Sequence, residues 1–242
     1  MDLQCQVNLL LLNENDFSAP NRVVISDRRF LQLRDIIGLE KGKSFRAGLR
    51  DGLSGNAVLV EYSDKEAILE TDLTTPPPPE APVTLVCALP RPQTFGKVLH
   101  GAITMGVKNF YFIHSRKVEK SYWNSSALRP EAIEHEITLA LEQCGDTISP
   151  KMEFRQRFKP FVEDELPELV KQHDAAIFGH PRATLPVPML SGKKTILVIG
   201  PEGGFNEFEN QTLEKAGVMP VSLGARVLRT EFAVTALLAK VI

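Results

Sequence analysis

The chain is poor in cysteine. Among its 242 residues there are three, Cys5, Cys87 and Cys144, far apart and odd in number. They form no disulfide framework and no zinc-ligand spacing, so reduced thiols are expected. Long hydrophobic runs are also missing, and none approaches the roughly 20 apolar residues of a membrane-spanning helix. Residues 1–12 have neither a basic n-region nor a small-residue cleavage site, and a soluble, cytoplasmic protein is expected. The glycine patterns GxGxxG and GxxxxGK[ST] are absent, which argues against a nicotinamide dehydrogenase or a P-loop protein. The five histidines (His100, His114, His135, His173 and His180) make no metal spacing, so no metal is expected. The single tryptophan, Trp123, is a candidate either for stacking on a base or for plain packing.

A strong charge of one sign is missing as well, since the net charge is −2. The distribution says more. Residues 21–50 hold eight Lys/Arg against three acids, and residues 91–129 hold seven against Glu119 alone. The next stretch, residues 130–150, has five acids and no Lys or Arg. Basic blocks of this kind can meet the phosphates of a polyanion, or they can be ordinary solvated surface.

The run Thr74-Thr75-Pro76-Pro77-Pro78-Pro79-Glu80 divides the chain. Consecutive prolines hold an extended form and act as a stiff spacer or, less simply, as a peptide ligand. Before the run, Gly42, Gly48, Gly52 and Gly55 punctuate short strands at residues 43–47, 57–62 and 67–71, with one helix at 27–36. This pattern predicts a small β-barrel or sandwich. After the run, apolar strands at 83–89, 109–113, 175–179, 195–199 and 218–223 alternate with helical patterns at 94–105, 131–144, 207–216 and 230–242. The class is therefore α/β, with a mostly parallel sheet and helices on both faces. The expected division is a β domain at 1–73, a linker at 74–82 and an α/β domain at 83–242.

Two loop segments stand out. At residues 199–209 a strand ends in GPEGGF and a helix begins, with Asn206 placed as N-cap and Glu209 as its capping-box partner. Gly203 and Gly204 let a ligand approach the backbone, at a strand end where α/β sheets bind ligands. By composition alone this is equally a plain strand-to-helix turn. At residues 221–233 another strand leads to LGARVLRTEF, whose Arg226 and Arg229 could meet an anion or simply be solvated.

Taken together, the two segments resemble the signature of the RsmE family within the SPOUT methyltransferases, a GPEGG(F/W) turn followed about twenty residues later by LGxRILRxET. The resemblance is firm from Thr195 onward and looser before it. It implies a PUA-like β-barrel followed by a methyltransferase domain with a C-terminal trefoil knot, an exception to ordinary chain connectivity. It further implies S-adenosylmethionine as cofactor, a homodimer, and methylation of N3 of a uridine in 16S ribosomal RNA of the small subunit.

Carried onto this sequence, the resemblance places the cofactor on three loops. They are Phe178, Gly179 and His180; Ile199, Gly200, Pro201, Glu202, Gly203 and Gly204; and Ser222, Leu223, Gly224, Val227, Leu228, Arg229 and Thr230. Arg229 is the candidate cation beside the uracil carbonyls. Glu202 and Glu231 are candidate bases or structural braces. Arg22, Arg28, Arg29, Arg91, Arg116, Lys117 and Lys120 are candidate RNA contacts.

The sequence also departs from the family pattern. Residues 100–107 lack the lysine and glutamate of a KxxELG-like stretch. Asp146 stands where an EAxEQSxR-like stretch has arginine, and Phe232 replaces a threonine. These changes fall where RNA contacts are expected. Another ribosomal or transfer RNA target, or a non-catalytic RNA-binding module, are therefore the alternatives.

Overall fold

A computed structural model describes residues 8–242. Cys5 and the first part of the N-terminal stretch considered above lie outside the described residues. The chain forms two compact units. One holds the residues up to Pro79 together with Thr138–Ser149, and the other holds Glu80–Ile137 and Pro150–Ile242.

The first unit is built on six strands, β1 (Leu10–Leu12), β2 (Phe17–Ala19), β3 (Arg22–Ile25), β4 (Ser44–Leu49), β5 (Ser54–Tyr62) and β6 (Ala67–Thr75). Their order in the sheet is β1-β4-β5-β6-β3-β2, antiparallel except for the β1–β4 pair. Alternation along β5 and β6 sends Ala57, Leu59, Ala67 and Leu69 inward, where they meet Leu10, Leu12, Val23, Ile25 and Phe45. The short helix α1 (Arg28–Gln32), continued by a π-helical turn Leu33–Ile37, adds Phe30 and Leu33 to this core. Strand β6 runs through Thr75, so the chain leaves the sheet only at the prolines.

The linear division expected from the sequence assigns residues 138–149 to the α/β domain, whereas the contacts group them with the first unit. Hydrogen bonds account for this. Asp51, in the left-handed region at φ 57, donates its N–H to the Thr147 carbonyl, and its carboxylate accepts the Ser149 N–H. Thr147 Oγ1 donates to the Gly52 carbonyl at 2.6 Å. A Cβ at Gly48 would collide with the Thr147 methyl. Asp146, the departure from the family pattern, is buried and accepts the Ile148 N–H at 2.9 Å.

The second unit holds a six-stranded parallel sheet of β7 (Val83–Ala88), β8 (Asn109–Ile113), β9 (Lys151–Arg155), β10 (Ala175–Gly179), β11 (Thr195–Ile199) and β12 (Met219–Val221). The order is β12-β10-β11-β7-β8-β9. β7 and β11 are buried along their whole length, which is why they read as continuous apolar runs. Helix α2 (Pro92–Thr104) links β7 to β8, and α3 (Pro130–Cys144) follows β8, with the boundary between the units falling inside it. A single turn α4 (Phe158–Pro160), a π-helical turn and α5 (Leu166–Lys171) precede β10. Helix α6 (Glu207–Lys215) precedes β12, and α7 (Thr230–Val241) ends the chain. Strands β8 and β9 extend the sheet on one side of β7, and β11, β10 and β12 on the other. The direction of winding therefore switches between β7 and β11, whose carboxyl ends pair at Cys87 and Ile199. Clefts outside such switch points are where α/β sheets bind ligands. Among the described residues, no helix is long and apolar enough to cross a membrane.

Candidate functional site

Three loops leave the carboxyl ends of the adjacent strands β10, β11 and β12 and enclose a cavity of about 220 Å³. The first continues from Gly179. His180 donates its backbone N–H to the Val221 carbonyl at 2.9 Å, which fastens this loop to the end of β12. The His180 ring lies at the cavity wall, with Nδ1 accepting the Arg182 N–H and Nε2 3.2 Å from the Asn210 amide.

The second loop is the GPEGGF turn. It closes through a Gly204 N–H to Pro201 carbonyl bond of 2.8 Å, with Gly204 at φ +68, a conformation glycine adopts freely. The capping box expected at the start of α6 is present. Asn206 accepts the Glu209 N–H at 2.9 Å, and Glu209 accepts the Asn206 N–H at 2.8 Å. Glu209 is buried and does more than the sequence reading assigned to it, because its other oxygen accepts the Arg116 N–H at 2.6 Å. Glu202 lies on the cavity wall and accepts the N–H of Arg91, the N-cap residue of α2, at 3.0 Å. Burial, and then the charge of Glu202, push the Cys87 thiol at the end of β7 far above the usual range, so this sulfur stays protonated.

The third loop carries LGARVLRTE. Ser222 donates its N–H to the Leu185 carbonyl and accepts the Gly224 N–H on its hydroxyl, and Gly224 sits at φ +110. Leu223, Arg226, Val227, Leu228, Thr230 and Ala233 face the cavity.

Of the residues assigned to the cofactor from sequence, Gly179, His180, the whole of Ile199–Gly204, Leu223, Gly224, Val227, Leu228 and Thr230 line this one cavity. Three do not. Phe178 is buried in β10 in a T-shaped contact with His180, Ser222 braces the third loop through the Gly224 N–H, and Arg229 is the exposed N-cap residue of α7. Glu231 is half-buried in the first turn of α7 and also lies off the wall. The cations on the wall are Lys117, Arg182 and Arg226. The sequence signalled Arg226 as one of two loop arginines. Nothing in its pattern marked Arg182, which reaches the cavity only because β10 ends beside β11.

The residues expected to contact RNA divide sharply. Arg29 is corrected outright. It is 5% exposed, and its guanidinium donates to both carboxylate oxygens of Asp16, to both of Asp27 and to the Leu11 carbonyl. All five donors have protein acceptors, and none is left for a phosphate. Arg28 pairs with Glu142 at 2.8 Å and Arg22 with Glu61 at 3.5 Å, both arginines remaining partly exposed. Arg91 at the start of α2 and Arg116, Lys117 and Lys120 beyond β8 are exposed, all following the carboxyl ends of strands. Trp123 is half-buried. Its Nε1–H donates to His114 Nδ1 at 3.0 Å, and burial, joined by the charge of Lys120, holds that imidazole below its usual value against the opposing pull of Glu209. Of the family departures at residues 100–107, His100 and Gly101 line a separate cavity on α2 that also contains Glu136. Among the described residues no cluster of three metal-binding side chains occurs.

The model of the family described as RNA methyltransferase domain matches residues 77–242. The chain is 26% identical to Ribosomal RNA small subunit methyltransferase E of Treponema pallidum over 220 residues, covering 89% of this chain and 83% of that protein. With the protein of the same name from Mesomycoplasma hyopneumoniae it shares 28% over 185 residues, 76% of this chain and 79% of the relative. Among solved structures, Ribosomal RNA small subunit methyltransferase E of Neisseria gonorrhoeae bound to S-adenosyl methionine superposes with a TM-score of 0.73 at 22% identity, over 97% of this chain and 96% of that one. A Legionella pneumophila protein in complex with the bound cofactor SAM also gives 0.73, at 19% identity over 97% and 96%. At these identities the structural likenesses establish the fold.

Proposed function

The chain belongs to the RNA methyltransferase domain family, and from that premise we propose that it transfers a methyl group from S-adenosylmethionine to N3 of a uridine in the 16S RNA of the small ribosomal subunit. Its divergent similarity to the small subunit methyltransferases E supports this reading. We extend it to a PUA-like first domain that binds RNA, a knotted C-terminal segment, a homodimer and a cytoplasmic location. The observation that carries the proposal is the convergence of the three loops after β10, β11 and β12 on one cavity.

The wall suits the chemistry of this cofactor. Ile199, Phe205, Leu223, Val227 and Leu228 offer apolar surface for an adenine ring. Arg182 suits a carboxylate, which leaves Arg226 and Glu202 for the base. Backbone glycines allow close approach, and a ligand without phosphate needs no phosphate-binding fingerprint. When bound, S-adenosylmethionine supplies a methyl group already activated on a sulfonium.

The chain's own residues then have two tasks. One is to orient the uracil so that N3 faces the methyl group. The other is to favour loss of the N3 proton, because a neutral imide nitrogen has no free lone pair. We assign the cation that stabilises the resulting imidate to the Arg226–Arg229 stretch, with Arg226 the member on the wall. We assign proton acceptance to Glu202, the carboxylate on that wall, rather than to Glu231. The buried Asp146 and the altered stretch at residues 100–107 favour a second reading, in which the same chemistry serves another ribosomal or transfer RNA nucleotide. Mass spectrometry of RNA nucleosides from a deletion strain decides between them. Loss of N3-methyluridine from 16S RNA, restored by the gene, is the expected result, and an unchanged level rejects the leading reading.

A further inference from the structure

The three loops account for the cavity wall except at one place, which a fourth segment supplies. Lys117, in the loop after β8, lines the cavity and donates from Nζ to the Gly203 carbonyl at 2.5 Å. Its neighbour Arg116 donates its backbone N–H to buried Glu209 at 2.6 Å. Before them Ser115 is fully buried and accepts the Val118 N–H on its carbonyl, which fixes the turn. The loop after β8 is thus stitched to the GPEGGF turn and the start of α6 at two points.

The contact also explains a glycine. Gly203 has no positive φ that would require one, yet a Cβ there would lie 2.8 Å from Lys117 Cδ. Residue 203 is small because the lysine stem crosses it. A lysine whose only task is to meet a phosphate has no need to touch this backbone.

We infer that Lys117 is a positioning residue for the cofactor, holding the Gly203 carbonyl and with it the GPEGGF turn in the conformation that forms the pocket. This inference rests on the proposed function. It predicts that Lys117→Met weakens S-adenosylhomocysteine binding about tenfold, the loss of one charge-assisted hydrogen bond. Lys117→Arg, which keeps the charge and the stem, restores most of the affinity. Gly203→Ala weakens binding to a similar degree by pushing the flexible stem aside, with no backbone strain of its own. In the double variant Lys117→Met/Gly203→Ala the losses do not add, because both remove one contact.

The experiment is calorimetric titration of the full chain with S-adenosylhomocysteine for the wild type and these four variants. Thermal unfolding alongside verifies that each variant is folded, and Gly203→Ala carries the test if Lys117→Met is not. Wild-type affinity in Lys117→Met, with or without weakened RNA binding, overturns the inference and leaves the proposed function standing. Additive losses in the double variant overturn it too. Absence of binding by the wild type at millimolar ligand overturns both.

Discussion

The two basic blocks of the sequence carry nearly the same local charge, and the fold engages their cations differently. In residues 21–50 the cations are largely engaged within the first unit. Arg29 is enclosed by Asp16 and Asp27, Arg28 holds Glu142, and Arg22 pairs with Glu61. In residues 91–129 the side chains of Arg91, Arg116 and Lys120 remain exposed, while the backbone N–H groups of Arg91 and Arg116 are held by Glu202 in the GPEGGF turn and by Glu209 at the start of α6. Equal charge density therefore does not mean equal availability. For Arg28 and Arg29 the difference is made by acids that come close in space, and the composition of a window cannot report that.

Three groups of changes would break or sharpen this contrast. The largest effect is expected from Arg29→Met, which leaves the Asp16 and Asp27 carboxylates without their cation. Breaking such a pair costs about 3 kcal/mol, toward the low end of the range for buried pairs because Asp27 is half exposed. Chemical denaturation should show it, with little change in cofactor affinity. The same variant should alter the acid limb of stability. Burial alone would raise the Asp27 carboxyl, but the hydrogen bonds and charge of Arg29 outweigh it and hold the group below its ordinary value of 3.8. The stabilisation from this group is therefore present above pH 3.8 and lost as the pH falls through the lower folded value. Arg29→Met should remove that contribution, and an unchanged acid limb would show that the cluster is not what holds Asp27 ionised.

The next effect concerns the cavity. Arg226→Ala should lower kcat by about 10²- to 10³-fold, the usual loss when a donor to a developing oxyanion is removed, while Arg229→Ala costs less. A larger loss in Arg229→Ala would move the catalytic cation to the start of α7. Glu202→Gln can still accept the Arg91 N–H, so it should keep the turn folded while lowering kcat by about 10²-fold or more.

The smallest effect is on RNA affinity. Alanine at Arg116 or Lys120 should each reduce the slope of log K against log salt by about 0.7, the single-strand value for one phosphate contact. Alanine at the ion-paired Arg22 or Arg28 should reduce it less. Equal reductions across both blocks would erase the contrast.

Much of this was legible in the residues themselves. β8, β10 and β11 coincide with their expected bounds because they are central, apolar strands whose ends are marked by polar or glycine residues. The paired loop segments pointed to the cavity through their resemblance to a family signature, since by composition alone each is equally a plain loop. β9 was not seen, since Lys151-Met152-Glu153-Phe154-Arg155 is an edge strand whose charged residues alternate with only two apolar ones. The place of residues 138–149 was hidden for another reason. A helical period does not reveal which unit the last turns of α3 join, and the deciding groups are Asp51 and Thr147, about a hundred positions apart. Lys117 read as a surface cation because its acceptor is a carbonyl 86 residues away.

The central claim is that the cavity at the ends of β10, β11 and β12 holds S-adenosylmethionine. Calorimetric titration of the purified chain with S-adenosylmethionine tests it most directly. One site per chain with a dissociation constant between about 1 μM and 1 mM is the result this account predicts. No heat of binding at millimolar ligand would contradict it and leave a non-catalytic RNA-binding module as the better description.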